Sequence, residues 1–333
     1  MKPDRQSRQS GPVNGHHRRT RIYKNLKMIA NTIRRILVLA LTSGAMTGCA
    51  IPETEALNNP SHQPTATRPS THLKLDIYTS TKIDAILKAQ QESLEPTDQR
   101  ANAISASFMG TPYRANMLKG SNNAAEQLVI DFRGLDCFTY LEYVEALRKS
   151  SSKPDFVHNL IETRYKNGTL GFLNRRHFFS DWASDKDHSL ADDLTAQISP
   201  HAVSIEKNLN AKSDGTFYLP GLPTVRRTIT YIPSQFVDKK VISHLQTGDY
   251  IGLYTALPGL DVTHVGFFIR TDKGPVLRHA SLKKGKVVDL PFLEYVSQKP
   301  GIIVYRSKIQ ADSSPPLLTH LPRDGARHLP ITP

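Results

Sequence analysis

The chain has 333 residues, enough for one large domain or two small ones, and its 22 % charged and 38 % hydrophobic residues are ordinary for a globular protein. The formal net charge of +13 suggests a polyanion partner until it is located: residues 1–35 hold ten Lys/Arg against one Asp, and so carry +9 of it. The rest is spread without a long basic run, so no nucleic-acid partner is expected.

The chain opens with a leader, residues 1–49. Basic residues end at Arg34-Arg35, an apolar run Ile36–Leu41 follows, and small residues lead up to Cys49. That order is the secretory-signal pattern, and the apolar run falls far short of the ~20 residues a bilayer span needs. Cleavage directly before Cys49 resembles the lipobox of bacterial lipoproteins, with Met46 in place of the more usual Leu. The resemblance implies a lipid-modified Cys49 and an N-terminal anchor on the periplasmic side of the envelope, at the outer membrane. Twenty-seven residues precede Met28, a long approach for such a signal; a start at Met28 would leave a compact one of 21 residues. Residues 50–72, rich in Pro, Thr, Ser, Asn and Gln, read as a flexible tether. Residues 73–309 read as one folded domain, expected to be monomeric, and 310–333 as a Pro-rich tail.

Within the domain, Lys82–Ala89 sets Ile83, Ile86 and Leu87 on one helical face. A second helix is expected from Thr97, carrying Ile104 and Phe108, before the turn Gly110-Thr111-Pro112-Tyr113. A third opens at Cys137 behind Asp136, and a fourth covers about 155–166. After Phe217 the pattern changes to short β runs: Thr228–Ile232, Asp249–Tyr254, His264–Arg270, Pro275–His279 and Ile302–Tyr305. Helices followed by an antiparallel sheet indicate an α+β domain, a helical lobe packed on the sheet.

With Cys49 set aside, Cys137 has no partner for a disulfide, and an exported protein keeps a free thiol only at some risk. Placed on the first turn of a helix, the thiol is expected to have a lowered pKa through the helix dipole. His264 and His279 lie far downstream on strands that should form a hairpin, where cross-strand side chains come within ~5 Å. A lone Cys with distant His residues outlines a nucleophile and its base. Taken singly, Cys137 reads as a small buried hydrophobe and His279 as an ordinary strand histidine. No His-Glu-x-x-His, paired Cys-x-x-Cys, Gly-x-Ser-x-Gly or phosphate loop is present, so neither a metal nor a cofactor is expected.

Gly110-Thr111-Pro112-Tyr113, Gly134-Leu135-Asp136-Cys137, Gly248-Asp249 and His264-Val265-Gly266-Phe267 together resemble, in order and spacing, the NlpC-type papain-like cell-wall hydrolases. The resemblance implies a papain-like fold, with helices on an antiparallel sheet or open barrel. It implies Cys137 as nucleophile, His264 as base, His279 as its orienter, and the Tyr113 hydroxyl facing the oxyanion beside the Cys137 N–H. Its endopeptidases follow Asp-Cys with Ser, where this chain has Phe138; a grip on a free stem-peptide amine through Asp136 is thereby in doubt. The phrases Leu-Asp-Cys-Phe-Thr and Arg175-Arg176-His177-Phe178-Phe179-x-Asp181-Trp182 resemble the branch that cuts N-acetylmuramic acid from L-alanine.

For that substrate Arg175 and Arg176 offer forks to stem-peptide carboxylates, and His177 and the only tryptophan, Trp182, offer polar and aromatic contact to peptide and sugar. The bland alternative is an aromatic cluster with solvated arginines. Asp136 reads first as backbone scaffolding and second as a substrate contact. The expected partner is peptidoglycan or its muropeptides. Other readings are an endopeptidase cutting within the stem, an acyltransferase using the same triad, and a non-catalytic peptidoglycan-binding lipoprotein.

Overall fold

The structure, a computed structural model, describes residues 75–93, 100–185 and 188–308. The leader with Cys49 and Met28, the tether, the tail and the helix start at Thr97 lie outside the described residues.

Helix α1 (Ile77–Glu92) starts at Asp76, whose carboxylate accepts the Thr79 N–H at 3.1 Å, an N-cap that satisfies one orphan donor of the first turn. Ile83, Ile86 and Leu87 are buried, as their spacing predicts. A short α2 (Ala101–Ala106) buries Ile104, and Phe108 is buried in the turn beyond it. A small hairpin of β1 (Lys119–Ser121) and β2 (Ala124–Gln127) follows. Next come α3 (Cys137–Arg148) and α4 (Lys153–Arg164), the latter capped by Ser152 with a proline in its first turn. Helix α3 is buried on nearly every side, so its two glutamates need partners. Glu142 takes Arg164 of α4 at 2.8 Å, and Glu145 takes Arg148 at 2.7 Å and Lys149 at 2.8 Å.

The second half is strand-rich: β3 (Ala191–Asp193), β4 (Val203–Leu209), β5 (Val225–Pro233), β6 (Tyr250–Tyr254), β7 (Val262–Ile269), β8 (Val276–Ser281), β9 (Lys286–Pro291) and β10 (Gly301–Ser307). Three short helices are interleaved: α5 (Thr195–Ile198), α6 (Lys239–His244) and α7 (Phe292–Val296). The strands form one sheet in the order β4-β5-β10-β6-β7-β8-β9, with β3 added on β10; every pairing is antiparallel, and the sheet stays open rather than closing into a barrel. Helix α3 packs on β7 and β8.

Both faces of the sheet are covered. Tyr250, Val265, Phe267, Ala280 and Ile303 join the core shared with α3. Ile251, Leu253, Phe268, Leu277 and Val304 join a second core with Val241, Phe292 and Val296 from α6 and α7. Central strands buried twice over read as continuous apolar runs instead of alternating ones, which is why Tyr250–Tyr254 is legible as a strand. Before it, Gly248 turns the chain at φ +96°, and Asp249 grips Arg306 of β10 through bonds of 2.7 and 2.8 Å. The Gly-Asp pair thus fastens a turn to the sheet.

Candidate active site

The site is assembled where the tip of α3 meets β7 and β8. Asp136 is the N-cap of α3: its carboxylate accepts N–H bonds from Phe138 (3.0 Å) and Thr139 (2.8 Å), while the Thr139 hydroxyl accepts the Asp136 N–H (3.0 Å). This reciprocal box sets Cys137 as the first helical residue. It engages one oxygen of the Asp136 carboxylate, Oδ1, in holding the first turn.

The loop before α3 is tied down on two sides. Leu135 donates to the Pro112 carbonyl (3.1 Å) and Arg114 donates to the Leu135 carbonyl (3.0 Å), so the Gly-Thr-Pro-Tyr turn runs alongside Gly-Leu-Asp-Cys. The same turn is stitched to the β8–β9 hairpin: Tyr113 N–H donates to the Gly285 carbonyl (2.8 Å), and Gly110 and Val287 bond across at 2.9 Å. Tyr113 is half-buried, and its hydroxyl lies near enough to Cys137 that burial first, then a thiolate and Asp136, raise its pKa.

The backbone ladder between β7 and β8 runs from Ile269–Val276 to Phe267–Arg278. Beyond it the strands are joined by side chains: His264 Nε2 lies 2.5 Å from His279 Nδ1, with ring centroids 4.7 Å apart and the rings near perpendicular. The Val265 N–H, one residue from His264, acts to lower the Cys137 pKa, as do the N–H groups of Cys137 and Phe138. Thiol, imidazole pair and Tyr113 are therefore gathered at one strand end. No hydrogen bond joins the thiol directly to His264 among the described residues.

The electrostatics depart from the expectation of a lowered thiol pKa. Burial, with the Asp136 carboxylate adding to it, pushes the Cys137 thiol up to about 12, and the three N–H groups offset this only in part. A helix N-terminus capped by a carboxylate gives the adjacent sulfur little net positive field. Burial also lowers His264 to about 3, helped by the neighbouring His279 and Lys299. It lowers His279 to about 4, with Asp289 opposing and Lys299 adding to the effect. The free site holds a thiol and two neutral imidazoles. If His264 keeps Nδ1 free to accept a proton, its Nε2–H donates to His279 Nδ1, which places the His279 proton on Nε2. That nitrogen is buried with no protein partner, and the ring packs on Tyr295 at 5.0 Å.

Sequence reasoning missed Tyr295 and Lys299. Tyr295 lies on α7, its pKa raised by burial and then by Cys137, and Lys299 Nζ stands 4.9 Å from the centre of its ring. Only the fold brings them to the motif residues; a Tyr and a Lys four apart carry no signal by themselves.

The block at 174–182 is turned into the protein. Arg175 spans Glu126 of β2, with Nη2 at 2.6 Å from Oε1 and 2.5 Å from Oε2, and covers the Phe172 ring. Arg176 is buried, bonds the His188 carbonyl at 3.2 Å, and has a pKa lowered first by burial. His177 Nε2 bonds the Phe172 carbonyl at 2.7 Å. Trp182 is fully buried, edge-on to Phe138 and Tyr250, and offers no face to a sugar. Arg175 is thus held by Glu126 and Trp182 by the core behind α3, while Arg176 Nε and Nη1 and Trp182 Nε1 are buried with no protein partner. Among the described residues no cluster of three or more His, Cys, Asp or Glu is arranged to hold a metal ion.

Solved structures resemble this chain over most of their own length. A Legionella pneumophila protein, 24 % identical, covers 69 % of this chain and 94 % of its own at a TM-score of 0.58, a likeness of fold alone. An N-acetylmuramoyl-L-alanine amidase from Bacteroides uniformis, 25 % identical, covers 63 % of this chain and 99 % of its own at a TM-score of 0.53. A Bacteroides fragilis protein that carries the name of a xylanase is 27 % identical over 61 % of this chain and 99 % of its own, at a TM-score of 0.51. No curated protein matches the chain. The family model described as AmiA-like, N-acetylmuramoyl-L-alanine amidase-like, matches residues 103–302, most of the chain and all of the residues gathered at the tip of α3. The chain belongs to this amidase-like family.

Proposed function

We propose that the protein is a cysteine amidase of the NlpC-type, papain-like kind, hydrolysing the bond between N-acetylmuramic acid and L-alanine in peptidoglycan or muropeptides. The observation that carries this reading is the pairing of His264 Nε2 with His279 Nδ1 at 2.5 Å, one residue from Val265, whose N–H favours the Cys137 thiolate. Cys137 attacks the lactyl carbonyl as its proton passes to His264; the imidazolium then gives that proton to the departing nitrogen of L-alanine. Water, deprotonated by His264, releases the muramoyl group from the thioester. Because the resting thiol is protonated and His264 is neutral, proton transfer accompanies attack. Tyr113 and the first-turn N–H groups favour the oxyanion.

A glycosidase reading, prompted by the xylanase name, finds less support. It needs two carboxylates facing a cleft, whereas Asp136 is engaged as a cap and Asp289 is gripped by Arg278 at 2.8 and 2.9 Å. Export and lipid anchoring through Cys49 are part of the proposal, resting on the leader alone.

The test is product identification by mass spectrometry on defined muropeptides, with wild type and Cys137→Ala. An amidase frees an intact stem peptide beginning with L-alanine; an endopeptidase shortens the stem. Cleavage that survives Cys137→Ala, or no cleavage by wild type, would sink the reading.

A further inference from the structure

Lys299 is half-buried beside the site and stacked on Tyr295, and no carboxylate among the described residues lies within ion-pairing distance of it. The Tyr295 ring in turn touches His279. A cation in this position works against the imidazolium that forms during catalysis. The charged and titratable groups facing the imidazole pair are Cys137 from α3, Asp289 from β9, Tyr295 from α7 and Lys299 beyond it. Asp289 already has Arg278. The free protein thus holds an uncompensated positive charge next to its base.

The chemistry of the bond says what can supply the missing charge. His264 must protonate the leaving nitrogen, so the leaving group lies on the imidazole side of the site, where Lys299 stands. A leaving group that is an amino acid or peptide carries a carboxylate. We propose that Lys299, with the Tyr295 hydroxyl, anchors a carboxylate of the leaving amino acid or peptide, so that an anionic substrate supplies the counter-charge that the free site lacks. This rests on the amidase reading and deepens it. A bound carboxylate cancels the repulsion between Lys299 and the imidazoles, and makes His264 a better proton acceptor only once substrate is in place.

The experiment compares N-acetylmuramoyl-L-alanyl-D-glutamate, both carboxylates free, with its diamide. Calorimetry on Cys137→Ala should give binding of the acid about tenfold tighter than of the diamide. The preference should vanish in C137A/K299Q and return in C137A/K299R. Equal binding of the two ligands, a preference that survives Lys299→Gln, or no binding of either overturns the anchor. Kinetics supply a readout that a purely structural role would not move. In wild type the acid limb of kcat, which reports the bound complex, should lie at higher pH than that of kcat/KM, and Lys299→Gln should bring the two together. Preference for the acid without turnover by wild type leaves the anchor standing and removes the amidase reading. Turnover of both ligands at equal kcat/KM does the reverse.

Discussion

Gly266 and His279 stand so close across β7 and β8 that a Cβ on Gly266 would lie 2.9 Å from the His279 Cβ, and also 2.9 Å from the Arg278 carbonyl oxygen. The glycine of His-Val-Gly is therefore a matter of space. It leaves room beside His279 for the imidazole of His264, two residues away on the same strand face, to reach across.

Gly266→Ala should accordingly damage the imidazole pair more than the fold. Overpacking of this kind costs about 1–3 kcal/mol, readable as a lowered urea midpoint, while kcat/KM should fall by about two orders of magnitude as His279 is displaced. A variant that keeps full kcat/KM would mean that the pair does not depend on this gap.

The thiol makes its own prediction. With Cys137 pushed up to about 12, alkylation by iodoacetamide should be slower than that of free cysteine by about two to three orders of magnitude near pH 8. The rate should keep climbing beyond pH 10. A plateau near neutrality would reveal a thiolate already formed, and would restore the helix-dipole expectation.

Stability should fall on the acid side. Unfolded histidines take up protons near 6.5, whereas burial holds His279 to about 4 and His264 to about 3. Between these limits the unfolded chain binds more protons than the native one, so stability is complete above pH 6.5 and declines as pH falls toward 3. Urea midpoints measured across this range should slope downward, and His264→Gln should flatten the slope. An unchanged slope in that variant would place the effect elsewhere.

Trp182→Phe distinguishes core from contact. The indole is enclosed by Phe138 and Tyr250, so its loss should lower stability by about 1–3 kcal/mol with KM for a muropeptide unchanged. A KM raised tenfold at unaltered stability would return the tryptophan to the substrate.

The sequence made the motif turns and the doubly buried strands legible because each carries a local signal: a cap, a glycine turn, an unbroken apolar run. Thr228–Ile232, Asp249–Tyr254, His264–Arg270, Pro275–His279 and Ile302–Tyr305 all fall on strands, with ends displaced by a few residues. Strand β4 was not legible, since its burial runs against its chemistry. Val203 and Ile205 are exposed while Lys207 is buried, its ammonium donating to the carbonyls of Leu257 (2.9 Å) and Leu260 (2.7 Å). Strand β9 is disguised in the same way by Asp289, whose partner Arg278 lies on the next strand. Around the candidate site, residue types drew attention to Cys137, His264 and His279 and the family resemblance added Tyr113, whereas Tyr295 and Lys299 became visible only through tertiary placement. The internal partners of the polar–aromatic block were not legible, because composition cannot tell an arginine that faces solvent from one held by Glu126.

The hairpin of β8 and β9 carries His279 on one arm and, through the Gly285 carbonyl at its tip, holds the backbone of Tyr113. Two halves of the chemistry thus hang from one clasp. On the proposed mechanism, local opening of that clasp would strip away proton relay and anion support at the same instant, leaving the centre whole or idle with no half-working form between.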